Sequence, residues 1–272
     1  MTEPLDLFDA LERIRVPVDI AITPDASTAA FCAPARPDPS STMAVHLVDL
    51  ATGEHRTLEP PTGYRFALSR FDPATGALVV ACGVAAGELE SVVALDRDTG
   101  AAQSEVAVSG AIEDLVPLGN DRWVARIADP GSERDGMHLG TRVESITRPL
   151  VLAAGGAWRR LVTVDLGAGS ATDHPTPGWT IWDVDAVEDD HGGVALAVAS
   201  REPSPAGYYS PTLIRLRLDD RDGDQGPVEV VHRSDRQLAR PRLDGRVPWS
   251  SRAVRSSPGR SAESTSTVAT TE

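Results

Sequence analysis

The sequence predicts an all-β fold: a β-propeller of about four four-stranded antiparallel blades, preceded by a short helix and followed by a disordered tail. Three observations lead there. One hairpin pattern recurs four times along the 272 residues. Its spacing is that of a blade repeat. The core must be built from Val, Leu, Ile and Ala, because aromatic residues make up only 4% of the chain.

Taken in order, the first segment is LDLFDALERIR, with apolar residues at Leu5, Phe8, Leu11 and Ile14. That spacing fits one face of a short helix, which we expect to end before Pro17 and to cover apolar surface. Residues 18–246 then carry the repeat. In each copy an apolar alternating run ends in a turn rich in Asp, Gly and Thr and is followed by a second short strand. The copies begin at Val45 (VHLVDLATGEHRTL), Ser91 (SVVALDRDTGAAQSEV), Arg160 (RLVTVDLGAGSATDH) and Thr212 (TLIRLRLDDRDGDQGPVEVV). Each reads as a β-hairpin whose turn needs the positive φ that glycine supplies. Upstream of each lies another hairpin, starting at Asp19, Phe66, Ile112 and Trp182. Two successive hairpins make four antiparallel strands, the unit of a blade. The turn glycines Gly53, Gly100, Gly167 and Gly223 are spaced by 47, 67 and 56 residues. The long third repeat contains a polar insertion, Asp129 to Leu150, between its second and third strands.

Corresponding loops of the first and fourth copies, APARPDPSST and REPSPAGYYSP, are also Pro-rich. Equivalent loops of successive blades point the same way, so they should gather on one face. They read either as variable surface loops or as a binding rim for protein or peptide made by Arg134, His138, Arg142, Tyr208 and Tyr209. After the fourth hairpin, QLARPRLDGR from Gln237 looks like the opening strand and turn of a fifth blade. From Val247 onward Ser, Thr, Arg and Pro dominate. Such a composition cannot bury enough apolar surface to offset the entropy of ordering, so residues 247–272 are expected to be disordered.

Charge narrows the partners. The formal net charge is -14, and it is uneven: residues 1–232 carry 18 Arg against 36 acidic residues, whereas residues 233–272 carry 8 against 4. An acidic body repels phosphates, so neither nucleic acid nor an anionic membrane surface is expected as a partner. There is no Lys, and the one Asn is Asn120, a usage that points to a GC-rich bacterial genome. Cys32 and Cys82 lie in apolar strand-like runs and read as small buried hydrophobes. The first residues contain no apolar run of signal-peptide length, and no segment approaches the length of a membrane span. A cytoplasmic location is expected.

TPDASTAAF followed by HLVDLATGEHRTL resembles the repeat of TolB-type propellers and of the N-terminal propeller of the prolyl oligopeptidase family of serine peptidases. Thr23, Pro24, Asp25, Asp49, Leu50, Thr52, Gly53 and Glu54 follow that pattern, although Ala26 stands where Gly is usual. The second repeat keeps Asp72, Pro73, Thr75 and Gly76, then Asp96, Asp98, Thr99 and Gly100. The resemblance implies a propeller that restricts access to an α/β-hydrolase site and touches the substrate. In that family the nucleophilic serine sits on a Gly-x-Ser-x-Gly elbow in a C-terminal domain, and no Ser of this chain has that flanking. We therefore expect a non-catalytic, truncated family member without the hydrolase domain. A free-standing lactonase-like propeller enzyme and a TolB-like interaction propeller are the alternatives. Self-association through open blade edges is also expected.

Other candidates give way to plainer readings. His191-Gly192-Gly193 superficially resembles an oxyanion segment but falls where a hairpin turn is expected. Ser170, Asp173 and His174 share one turn and strand, with Asp173 and His174 on opposite faces. Asp189 and Asp190, and the run Asp219, Asp220, Asp222 and Asp224, lack the glycine and terminal Glu of an EF-hand loop and read as solvated hairpin tips. No catalytic residue, cofactor or metal ligand is assigned.

Overall fold

The computed structural model describes residues 18–36, 41–84, 89–129, 158–189, 192–203, 207, 209–218, 228–234 and 236–243. The expected N-terminal helix and C-terminal tail lie outside them, as does most of the insertion after Asp129. Sixteen strands form four antiparallel sheets, each laid out in chain order. The first blade is β1 (Val18–Ile22), β2 (Thr28–Pro34), β3 (Met43–Asp49) and β4 (His55–Leu58). The second is β5 (Tyr64–Phe71), β6 (Leu78–Val84), β7 (Leu89–Leu95) and β8 (Ala102–Ser109). The third is β9 (Ala111–Gly119), β10 (Arg122–Ala128), β11 (Arg159–Asp165) and β12 (Ser170–His174). The fourth is β13 (Thr180–Val187), β14 (Val194–Ser200), β15 (Thr212–Arg217) and β16 (Glu229–Arg233). These are the eight hairpins read from the sequence.

Neighbouring sheets stack face to face, because a strand buried on both sides sends alternate residues to opposite layers. From β6, Leu78, Val80 and Cys82 pack with Ala30, Cys32, Val45 and Leu47 of the first blade. The intervening Val79 and Ala81 pack with Trp123, Ala125 and Ile127 of the third. From β14, Ala195, Ala197 and Ala199 meet Val116, Val124 and Leu161, while Leu196 and Val198 face the other way beside Trp182. The four sheets thus enclose three apolar layers between blades, and Trp182 marks a fourth. Cys32 and Cys82 share the first layer as free thiols. Burial pushes them up to about 12 and about 11 respectively.

The turns follow from one recurring motif, Asp-x-x-Thr-Gly. In Asp49–Gly53 the Asp49 carboxylate accepts the amides of Ala51 (2.9 Å) and Thr52 (2.7 Å) and the Thr52 hydroxyl (2.9 Å), while the Gly53 amide closes onto the Asp49 carbonyl at 2.8 Å with φ 74°. Asp72 to Gly76 and Asp96 to Gly100 repeat this geometry. A short polar side chain that imitates a turn acceptor and a residue free to adopt positive φ are what such a reversal requires. In the third blade the bond from Ala168 to Asp165 survives, but the positive φ falls on Gly169 instead of Gly167.

The opening strand expected for a fifth blade falls only in part on described residues. Residues 236–243 form no strand. They lie instead on the exposed side of the fourth blade, with Leu238 and Leu243 packed against Trp182, Leu196, Val198 and Leu213. Pro241 lacks the amide a ladder would use, and Arg240 before it adopts φ 51°, which breaks an extended run.

Candidate functional site

Packing between blades is closest where their first strands meet: β1 against β5, β5 against β9, and β9 against β13. Each of these four strands has a register shift against its second strand: between Val18 and Ala21, between Phe66 and Leu68, at the pairing of Arg126 and Ile127 with β9, and between Ile181 and Asp183. A bulge lets two adjacent residues escape strict alternation and re-aims a side chain. Polar residues occupy these irregularities in three of the four strands: Asp19, the Glu113–Asp114 pair, and Asp183 beside Trp182.

Arg70 of β5 joins three blades. Its guanidinium donates to the Asp19 carboxylate of β1, to Asp114 Oδ1 of β9 at 2.8 Å, and from Nε to the Leu115 carbonyl at 3.0 Å. Asp114 also accepts the Leu115 amide at 2.9 Å. Burial opposes the charge on Arg70, but Asp19 and Asp114 outweigh it and its pKa is raised. For Asp19 burial is the larger effect, so its carboxyl lies above the ordinary range despite Arg70.

Further round, Asp183 and Asp185 of β13 are both raised, again chiefly by burial. Each faces residues 236–243. Asp183 accepts the Arg240 amide, Asp185 accepts the Leu243 amide at 2.7 Å, and Arg242 Nη1 lies 3.7 Å from Asp185. Asp114 raises both carboxyls through space, and Arg126 lowers Asp183. The inner strands therefore place Asp19 and Asp114 on Arg70, and Asp183 and Asp185 against residues 236–243, within an otherwise apolar stack.

A second ionic cluster lies between the third and fourth blades. Arg159 donates to Glu113 through Nε at 2.7 Å and Nη2 at 3.2 Å, Arg126 approaches the same carboxylate at 3.1 Å, and the Arg159 guanidinium sits 4.8 Å over the Trp182 ring. Trp182 Nε1 donates to Ser200 Oγ at 2.8 Å. Arg159, Glu113 and Trp182 are thus hydrogen-bonded, whereas Nε and Nη1 of the buried Arg126 make no hydrogen bond.

Of the residues assigned to a loop rim, Tyr209 is 72% exposed, while Arg134, His138, Arg142 and Tyr208 lie outside the described residues. His174 is buried and contacts Thr163 Oγ1 at 2.6 Å, whereas Asp173 is exposed and pairs with Arg160. Strand alternation separates them as expected. His191, Asp190 and the Asp219–Asp224 run lie outside the described residues. Among the described residues no three His, Cys, Asp or Glu side chains gather as a metal site. The inner-strand network was not anticipated. Its signal is an acidic residue recurring inside apolar first strands, in VDIAI, IEDLV and WDVDAV.

No family model and no curated protein sequence matches the chain. Solved structures do. A prolyl endopeptidase, from a study of two such enzymes and their inter-domain dynamics, is 10% identical, with 87% of this chain aligned to 32% of that one at a TM-score of 0.52. Hydrazine synthase of Kuenenia stuttgartiensis is 13% identical, with 83% aligned to 57% at 0.50. TolB of Acinetobacter baumannii is 15% identical, with 84% aligned to 46% at 0.49. The chain covers less than two thirds of each of these proteins. The likeness to the prolyl endopeptidase and to hydrazine synthase, at such identities, bears on the fold alone, and a propeller fold hosts unrelated activities.

Proposed function

We propose that this chain is a peptide-binding β-propeller with no chemistry of its own, comparable to the propeller that gates substrate in prolyl-oligopeptidase-family serine peptidases. The observation that carries this reading is the inner-strand network, in which Asp19 and Asp114 flank Arg70 across three blades. Two carboxylates set against one guanidinium leave a net negative charge that attracts cationic groups, and the acidic body of the chain adds long-range steering. The ligand class this favours is a short peptide with a free amino terminus or basic side chains. Loops at the blade ends, including the one bearing Tyr209, supply further contacts.

Calorimetric titration of the full chain with short peptides of opposite charge, with free or acetylated amino termini, tests the reading. Basic peptides with free amino termini should bind, and Asp114→Asn should weaken them about tenfold, the loss expected for one hydrogen bond to a charged group. A fluorophosphonate serine probe should leave the protein unlabelled. Binding of acidic peptides only, or labelling by the probe, overturns the proposal.

A further inference from the structure

Residues 236–243 stand on β13 where each earlier blade receives the first strand of the next, yet they are held differently from a strand. Two backbone amides three residues apart, those of Arg240 and Leu243, are taken by two side-chain carboxylates two residues apart, Asp183 and Asp185. Adjacent residues of a regular strand point to opposite faces, so Trp182 and Asp183 could not both reach the segment without the register shift between Ile181 and Asp183. That shift sets an apolar floor of Trp182, Leu196, Val198 and Leu213 beside a pair of amide acceptors. Leu238 and Leu243 fill the floor, Pro241 is buried, and Arg242 lies near Asp185.

These features describe recognition of a backbone segment by the side chains of one blade face. They also show a mediocre fit by the resident. Arg240 is left-handed (φ 51°), a conformation that non-glycine residues adopt only at a cost. Gln237 and Arg242 remain exposed. The segment keeps its place with few directional bonds because it is tethered, and a short tether gives an effective concentration on the order of millimolar.

We propose that this face of the fourth blade is a binding site for a short peptide of alternating apolar and basic character, and that residues 236–243 are its exchangeable occupant in cis. The face takes the same kind of segment in trans once the occupant leaves. Backbone amides give affinity through Asp183 and Asp185, the two leucine positions give selectivity, and a basic residue beside the second leucine pairs with Asp185. The proposal rests on the peptide-binding reading for its ligand class but concerns a different surface from the Arg70 network.

The test uses the full chain and a fluorescently labelled peptide with the sequence of residues 236–243. Against the unaltered protein, peptide at micromolar concentration competes poorly with a tethered occupant and should show little anisotropy change. In the double variant Leu238→Asp, Leu243→Asp the face is vacated, and affinity should rise at least about tenfold. Adding Asp183→Ala and Asp185→Ala should abolish that gain. A second measurement avoids dependence on the variants: excess unlabelled peptide should accelerate hydrogen exchange of the Arg240 and Leu243 amides in the unaltered chain. The proposal is overturned if the vacated chain, still melting cooperatively, binds no better than the original, or if the two amides exchange at the same rate with and without peptide. The outcome is independent of whether foreign peptides bind near Arg70, which Asp114→Asn reports separately.

Discussion

Arg159 and Glu113 form a buried bidentate pair, Nε to Oε2 at 2.7 Å and Nη2 to Oε1 at 3.2 Å, with both side chains 2% exposed. The pair joins β11 to β9 within the third blade, and its cation covers Trp182 of the fourth. A charge this deep is tolerable only while its partner stays. Glu113→Ala leaves two arginines, Arg159 and Arg126, facing no carboxylate there, and should destabilise the protein by about 3–5 kcal/mol in urea unfolding. Replacing both partners by apolar residues, as Glu113→Leu with Arg159→Met, should cost clearly less than Glu113→Ala alone. Equal losses would show that packing, not charge, is what the pair supplies.

Glycines at positive φ should differ according to the space around them. A Cβ at Gly53 (φ 74°) meets nothing within 4 Å, so Gly53→Ala bears only the backbone term of about 1–2 kcal/mol. At Gly110 (φ 103°) a Cβ would come within 2.5 Å of the Ala128 carbonyl and 2.7 Å of Ile127 Cγ2. Gly110→Ala should therefore add an overpacking penalty of about 1–3 kcal/mol. Comparing melting temperatures of the two variants checks this order.

The core layer between the second and third blades centres on Trp123, 1% exposed. Trp123→Ala should cost about 3–5 kcal/mol. Trp123→Phe should retain most of the stability, read as the shift in denaturation midpoint.

Carboxyl titrations should split in opposite directions. Asp25 is held down to about 2 by the Thr23 hydroxyl and by the Ser27 amide and hydroxyl. Its favourable contribution is present above the unfolded value of about 3.9 and is lost as pH falls through about 2. Asp183 and Asp185 are raised by burial. For them folding is relatively favoured as pH falls from the raised value toward the unfolded one, and is penalised by ionisation above it. NMR titration of side-chain carboxyl carbons should place Asp25 below, and Asp183 and Asp185 above, the ordinary aspartate range. Ser27→Ala should move Asp25 upward.

Much of this architecture is legible in the residues themselves. Asp49, Thr52 and Gly53 mark a turn because an Asp side chain accepts amides two and three residues on and a glycine accepts positive φ, interactions confined to five neighbouring positions. Runs such as LVVACG are apolar at every position because both faces of an inner sheet are covered. Whether Gln237 to Leu243 would become a strand could not be read in the same way. Its local preferences, with Leu at two positions and Pro at one, suit either an edge or a loop.

By itself, then, the sequence determined the strands, their hairpin pairing and the four-fold repeat, since these depend on short-range turn chemistry and on alternation along the chain. Only the tertiary structure decided that Asp19, Arg70 and Asp114 meet, that Glu113 and Arg159 pair, and that residues 236–243 lie across Trp182 instead of extending a fifth sheet. Those contacts join residues 44 to 61 positions apart. They depend on how bulges turn individual side chains between packed sheets, which no local pattern specifies.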